Sequence, residues 1–544
     1  MKTDPVGEGA SLRLFLIAAI LLAAVQSSPA QTPTADSFNP GVNNTVAQLA
    51  VQPDGSILAG GDFTRLAGQP CTNLARLDAN GNPDTAFNVQ VSHISGWGVS
   101  CLALQPDGKI PVGGYFTLLS GQTCTNFGRL NADGSRDSSF NPGVMPEYVG
   151  VSGLAIQSDG KLLLGGYFNW LGGLSRIYIG RLNANGSVDT TFNPGAENGV
   201  FTLAVQADGK ILAGGDFIRL GGQARANLGR LNANGSVDTS FNPGANDAVN
   251  CLAVQGDGKI LVSGGFTLLG GQACTNLGRL NADGSRDASF NPAINYPTYS
   301  LAFQADGKIL VGGAFTVLGG QACTNLGRLY ADGSLDTTFN PGVGGSGSYV
   351  NSLALQPDGK ILVGGYFTTL GGQARTNIGR LNNTDAATQS LAFNGATITW
   401  LRGGTSPEVW RTTFEVCTNG ADWITLGAGT RITSGWQRTG LNYPTNAIIR
   451  ARGFVCGANW FVETLFAPAM LLQFVSANGS RWMSNGWFSA RLLGTTGSNA
   501  VVECSSDLTI WTPWQTNTLS ADGWDLTAPL GTNRQQFYRA KLAP

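Results

Sequence analysis

Leu203-Ala-Val-Gln-Ala-Asp-Gly-Lys-Ile-Leu-Ala-Gly-Gly-Asp-Phe217 continues through Leu228-Gly-Arg-Leu-Asn-Ala-Asn-Gly-Ser236 to Ser240-Phe-Asn-Pro-Gly244, and the chain repeats this unit seven times. The Phe closing the first stretch recurs at Phe63, Phe116, Phe168, Phe217, Phe266, Phe315 and Phe367, at spacings of 53, 52, 49, 49, 49 and 52. Arg76, Arg129, Arg181, Arg230, Arg279, Arg328 and Arg380 keep the same register, as do Gln52, Gln105, Gln157, Gln206, Gln255, Gln304 and Gln356. Within a unit, Asp-Gly between two short apolar runs signals a hairpin, because its residues tolerate positive φ. A second Asp-Gly or Asn-Gly joins Gly-Arg-Leu-Asn to the Asp-Thr-Ser-Phe segment. No stretch carries a helical period. Four strands in about 50 residues match one blade of a β-propeller.

The ends of the array predict ring closure. The fourth-strand Phe occurs at Phe87, Phe140, Phe192, Phe241, Phe290 and Phe339, with no copy after Arg380. The missing copy stands at the N-terminus, Ser37-Phe38-Asn39-Pro40-Gly41, with Phe38 lying 49 residues before Phe87. The expected fold is all-β, a seven-bladed propeller over 35–384 closed by an N-terminal strand, which leaves only short outer edges. The Gly before each Phe, Gly61 through Gly365, predicts a bulge or close backbone approach. The repeated Arg and Gln predict side chains that bind backbone between strands or blades.

The Gln-x-Asp-Gly-Lys-Ile-Leu-Val-Gly-Gly-x-Phe pattern, with Arg-Leu-Asn-x-Asp-Gly-Ser and Ser-Phe-Asn-Pro-Gly, resembles the delta-60 repeat family of secreted bacterial β-propeller proteins. The resemblance covers about 36–382 and implies a propeller fold and an extracellular setting. It brings no defined activity and no catalytic residues.

Composition narrows the function. Lys+Arg 33 against Asp+Glu 34 gives a net charge of -1, which lacks the electrostatic footprint of a nucleic-acid binder. His93 is the single histidine, which removes most zinc sites, and no metal or cofactor is expected. The apolar run Leu14–Val25, followed by Ser28-Pro29-Ala30, reads as a secretory signal over 1–30. Twelve apolar residues fall short of the roughly 20 that span a bilayer. The expected location is extracellular or at the cell surface, without a transmembrane segment after signal cleavage, and the expected state is a monomer.

Strand direction sorts the loops. Asp-Gly turns share one face, and the variable loops gather on the other. That second face nominates His93, Trp97, Glu147, Tyr148, Trp170, Glu197, Asp247, Tyr296, Tyr299 and Tyr349, since binding favours loops on a rigid scaffold. Aromatic faces with a few carboxylates suit a carbohydrate or another surface protein. The expected function is a non-catalytic binding or adhesion scaffold. The rival is a glycoside hydrolase-like enzyme with a carboxylate pair among Glu147, Glu197 and Asp247.

Nine cysteines in an exported chain raise the question of disulfides. Cys101 with Cys124, Cys251 with Cys274, and Cys417 with Cys456 are the candidate pairs; buried thiols are the competing reading. After Asn382 the repeat stops. Alternating strands and recurring tryptophans predict an immunoglobulin- or fibronectin-like sandwich over 385–468 and a second small β module over 469–544.

Overall fold

The computed structural model describes residues 33–92, 98–145, 150–383, 385–418, 422–445 and 447–466; beyond these it describes 473–475, 483–484, 487–493, 499–505, 512–518, 520, 524–529 and 537–542. The expected signal at 1–30 lies outside the described residues. Among the described residues there is no helix.

Each repeat folds as an antiparallel sheet of three strands. In the fourth repeat an inner strand, Val200–Val205, pairs with a middle strand, Ile211–Gly215, which pairs with Leu228–Leu231. The Asp-Gly turn joins the first two, with Gly209 at φ 83°. The same order recurs in all seven repeats. Between middle and third strands the chain makes a short outer ribbon, Arg219–Leu220 with Gln223–Ala224, around two glycines of positive φ.

The expected fourth strand is reduced to one bridge per repeat, as at Leu231↔Val237. The reason is local. Asp238 Oδ1 accepts the amide N–H and the hydroxyl of Ser240, and Phe241 N–H donates to Asp238 O. The segment is therefore a side-chain-capped turn. Pro243, lacking an N–H, then ends any ladder.

Adjacent repeats interlock through this turn. Phe241 is fully buried, and a Cβ on Gly284 of the next repeat would come within 2.8 Å of its ring. Arg230 lies over the Phe241 ring at 4.2 Å, pairs with Asp238 at 2.9 Å, and donates to Ala282 O of the next repeat at 2.6 Å. Arg129 and Arg181 reach Ala184 O and Ala233 O in the same way. Gln105, Gln157, Gln206 and Gln356 accept from the Arg of their own repeat at 3.2 to 3.4 Å. The repeated arginines are thus staples between blades, and these glutamines hold them from within their own blade.

The two ends of the array meet. Ala35 bridges Leu381, Asp36 N–H donates to Arg380 O at 3.1 Å, and Asn382 N–H donates to Thr34 O at 2.9 Å. Arg380 pairs with Asp36 at 2.7 Å, lies over Phe38 at 4.8 Å, and donates to Ala79 O of the first repeat. The carboxylate, ring and carbonyl that Arg230 finds in Asp238, Phe241 and Ala282, Arg380 finds in Asp36 and Phe38 of the N-terminal segment and Ala79 of the first repeat.

After the array come two four-stranded sheets, one holding Ala387–Phe393 and Ile398–Gly404, the other Val409–Cys417 and Ile448–Val455. Trp400, Phe414, Val416 and Ile449 are buried in one core. Farther on, Trp487–Leu493 pairs with Trp524–Pro529, and Asn499–Ser505 pairs with Thr512–Thr518 and Phe537–Leu542.

The candidate disulfides are absent: Cys101, Cys124, Cys251, Cys274, Cys417 and Cys456 stand as thiols. Geometry explains this. Cys101 opposes Gly113 on the middle strand, whereas the Cys124 sulfur lies over Gly128 on the third strand. Two strand spacings, roughly 9–10 Å, exceed the reach of a disulfide. Cys251 and Cys274 repeat the arrangement. Cys417 pairs in register with Ile448, while Cys456 follows the far end of that strand, on the order of 25 Å away.

Candidate functional site

The inner strands of all seven repeats line one central cavity of about 1070 Å³. Its shape at one end is set by an irregularity built into every blade. Each inner strand carries a β-bulge near its start, between Val200 and Thr202 in the fourth repeat and between Val350 and Ser352 in the seventh. A bulge leaves one residue unpaired and re-aims its side chain. The seven bulged residues are Ala47, Ser100, Ser152, Phe201, Asn250, Tyr299 and Asn351, and every one lines the cavity.

The paired glycines make the bulge possible. A Cβ on Gly61, Gly114, Gly166, Gly215, Gly264 or Gly365 would collide with the backbone oxygen of the residue two before the bulged one. One position farther in, hydroxyls tie adjacent inner strands together: Ser352 Oγ accepts Leu49 N–H and Ser300 Oγ accepts Leu353 N–H, both at 2.9 Å.

The ring of bulged residues is uneven. Repeats one to three supply Ala and Ser; repeats four to seven supply Phe201, Asn250, Tyr299 and Asn351. Tyr349 adds a third ring to the rim, edge-on to Tyr299 at 6.3 Å and stacked on the exposed Tyr366 at 5.8 Å. Burial first, and Tyr349 second, push the Tyr299 phenol up, so it is neutral at ordinary pH. Cys101, buried on the wall, and Cys251, partly buried there, are pushed up to about 12 by desolvation and are also uncharged. Among the described lining residues Asp62 is the one carboxylate, and no Lys, Arg or His is present. Asp62 Oδ1 accepts Gly98 N–H at 2.6 Å.

The opposite end of the cavity, on the Asp-Gly turn face, is occupied by the chain itself. The hairpin linking Ile448–Val455 to Phe461–Phe466 brings Gly457, Ala458, Asn459 and Trp460 to the lining, with Trp410 and Phe454 behind. Leu104 N–H donates to Asn459 O at 2.8 Å, and Asn459 Nδ2 donates to Leu154 O at 2.6 Å. Beside it the chain at 404–408 runs along the sixth repeat. Ala305 N–H donates to Ser406 O, Asp306 N–H to Gly404 O, and Glu408 N–H to Phe303 O, at 2.8 to 3.0 Å. The face expected to be idle is therefore the docking face for the C-terminal part.

The nominated residues divide. Tyr299 and Tyr349 line the cavity. Trp170 is half exposed on the outer ribbon of the third repeat, and Tyr296 is exposed in a loop; neither lines it. Glu197 pairs with Arg219 at 3.2 Å, and Asp247 Oδ1 accepts Ala248 N–H at 2.7 Å; neither reaches the cavity. His93, Trp97, Glu147 and Tyr148 lie outside the described residues. Sequence reading missed Phe201, Asn250 and Asn351. The available signal was one frame position that varies as Ala, Ser, Ser, Phe, Asn, Tyr, Asn directly after a position that is Val in six repeats and Thr298 in the sixth. Among the described residues no cluster of three or more His, Cys, Asp or Glu could hold a metal.

No curated protein matches the chain. Among solved structures it is similar to a streptogramin B lyase at 14% identity, covering 65% of this chain and 99% of that one, with a TM-score of 0.42. It is also similar to PorZ, a bacterial surface component of the type-IX secretion system of Porphyromonas gingivalis, at 10% identity, covering 79% of this chain and 60% of that one, with a TM-score of 0.37. The family model described as a domain of unknown function (DUF5122) beta-propeller matches residues 52–87, 105–140, 157–192, 206–241, 255–290, 304–339 and 356–385. One match falls on each repeat, in register, and residues 52–385 are thus an array of DUF5122 β-propeller repeats.

Proposed function

We propose that the chain is an exported or cell-surface, non-catalytic binding scaffold. Its seven repeats form a closed propeller of the delta-60 kind, and an immunoglobulin-like sandwich over 385–468 closes one end of its channel. A ligand enters from the variable-loop face and is held among the bulged residues. The observation that carries this reading is the cavity itself: large, stopped at one end, aromatic on one side, and with Asp62 as its one described carboxylate. Glycoside hydrolysis needs two carboxyl groups on either side of the bond cleaved. Glu197 and Asp247 are engaged elsewhere. Export rests on the N-terminal apolar run and its small-residue site.

The test is thermal unfolding of the purified full chain against panels of glycans and peptides. Some compound should raise the transition, and Ser152→Trp, which fills the channel from its small-residue side, should abolish the rise without lowering the unliganded transition. Chemical conversion of the stabilising compound, or a rise untouched by Ser152→Trp, would remove the reading.

A further inference from the structure

We infer that the channel receives the end of an uncharged glycan chain, with the Tyr366–Tyr349–Tyr299 row as its stacking wall. This rests on the scaffold reading above and names its ligand class.

Three features of the channel converge. The first is charge. Ammonium, phosphate or carboxylate groups call for a counter-charge in a desolvated site. The lining offers no described cation, the Tyr299 phenol and the Cys101 and Cys251 thiols are held neutral, and the one described carboxylate, Asp62, is engaged by Gly98 N–H. The ligand therefore brings hydrogen-bonding capacity without charge.

The second is the two-sided wall. Tyr366 is 42% exposed at the rim, Tyr349 half-buried beneath it, and Tyr299 reaches the bulge ring. The row runs from the rim to the bulge ring, and Tyr299 at its inner end is still 36% exposed. Across the ring stand Ser100 and Ser152, with Asn250 and Asn351 beside the tyrosines. A pyranose presents an apolar C–H face and an edge of hydroxyls. It fits a wall that is aromatic on one side and supplies hydroxyl and amide groups on the other. A lipid chain would leave those amides unpaired.

The third is the stopped end. Asn459 is bonded to both Leu104 and Leu154, so the hairpin closes the channel against a polymer threading through. Entry is end-on. A linear chain with a free terminus can enter, and a cyclic one of the same sugar cannot.

The experiment uses the full chain and a panel of maltohexaose, cellohexaose, mannohexaose and chitohexaose, with oligogalacturonate as the charged counterpart and α-cyclodextrin as the cyclic one. Affinity is read by calorimetry. At least one neutral linear hexaose should bind, oligogalacturonate more weakly, and α-cyclodextrin not at all. Tyr349→Ala should weaken binding by about ten-fold, the weight of one aromatic contact, while Tyr349→Phe retains most of it. Trp170→Ala on the outer ribbon should change nothing. The inference is overturned by the absence of neutral-hexaose binding, by binding indifferent to Tyr349→Ala, by α-cyclodextrin binding as well as maltohexaose, or by preference for the uronate. Peptide binding that is lost in Tyr349→Ala would overturn the ligand class and leave the scaffold standing. Release of shorter sugars from a bound hexaose would overturn the scaffold reading itself.

Discussion

At the scale of single residues, stability rests on one constellation repeated round the array. Arg230 and Asp238 are 6% and 9% exposed as side chains, and Lys210 joins Asp238 at 3.0 Å. Removing one member of a buried pair strands the other. Arg230→Ala should cost about 3 kcal/mol, read as a lowered urea midpoint. Acid should act on all the copies together. Burial alone would raise Asp137, Asp189, Asp238 and Asp287, but hydroxyl, lysine and arginine partners outweigh it and hold all four well below the usual carboxylate range. Their folded values lie under the unfolded value of about 3.9, so their contribution is whole above that pH and fades as pH falls below it. Glu408 and Asp306, raised by burial, act in the opposite sense but are fewer. The urea midpoint should therefore drop steeply below about pH 4; a midpoint still level at pH 3 would contradict the ion-pair account. The Arg series was legible in the sequence as a set of staples because register repeats it, whereas the Gln series turns inward to the Arg of its own repeat. Their acidic partner was harder to see, since Asp238 sits in a segment whose strand-like residues masked a capped turn.

At the scale of the element, the inner hairpin decides what the channel can hold. Gly215 lies in the middle strand opposite the bulge, where a Cβ would meet the Gly199 oxygen. Gly215→Ala must flatten the bulge or push the strands apart. It should cost about 1–3 kcal/mol and turn Phe201 out of its place, measurable as a lowered midpoint together with altered ring-proton shifts. The need for glycine was readable from sequence, because two adjacent glycines inside a strand weaken it without a reason of packing. Which side chain the bulge presents was not readable. A bulge flips the alternation at one residue, and a strict period-two reading places Phe201 and Tyr299 on the wrong face.

At the scale of the whole molecule, sequence reading separated the array from the C-terminal strands, and the structure joins them. The change of composition after Asn382 was readable as the end of the repeat, but contact between the parts runs through 404–408 and the hairpin at 456–460, which carry no pattern. These bonds make the docking part of the fold. Leu104 N–H, Leu154 O, Phe303 O and the amides of Ala305 and Asp306 all find their partners across the junction. Separating the parts would leave these groups to water and open the channel at its stopped end. Unfolding of 33–466 should therefore be one cooperative event, with the array and the two four-stranded sheets melting together. Asn459→Ala removes the bond to Leu154 and should cost about 1–2 kcal/mol. Hydrogen exchange offers the sharper reading. In Asn459→Ala the amide of Leu104 should exchange faster, because the hairpin that accepts its hydrogen bond is loosened, while that of Leu252, bonded to Thr202 within the array, keeps its protection. Equal acceleration at both amides would mean that the hairpin stabilises the array only globally, and an unchanged Leu104 would mean that it does not hold the channel shut.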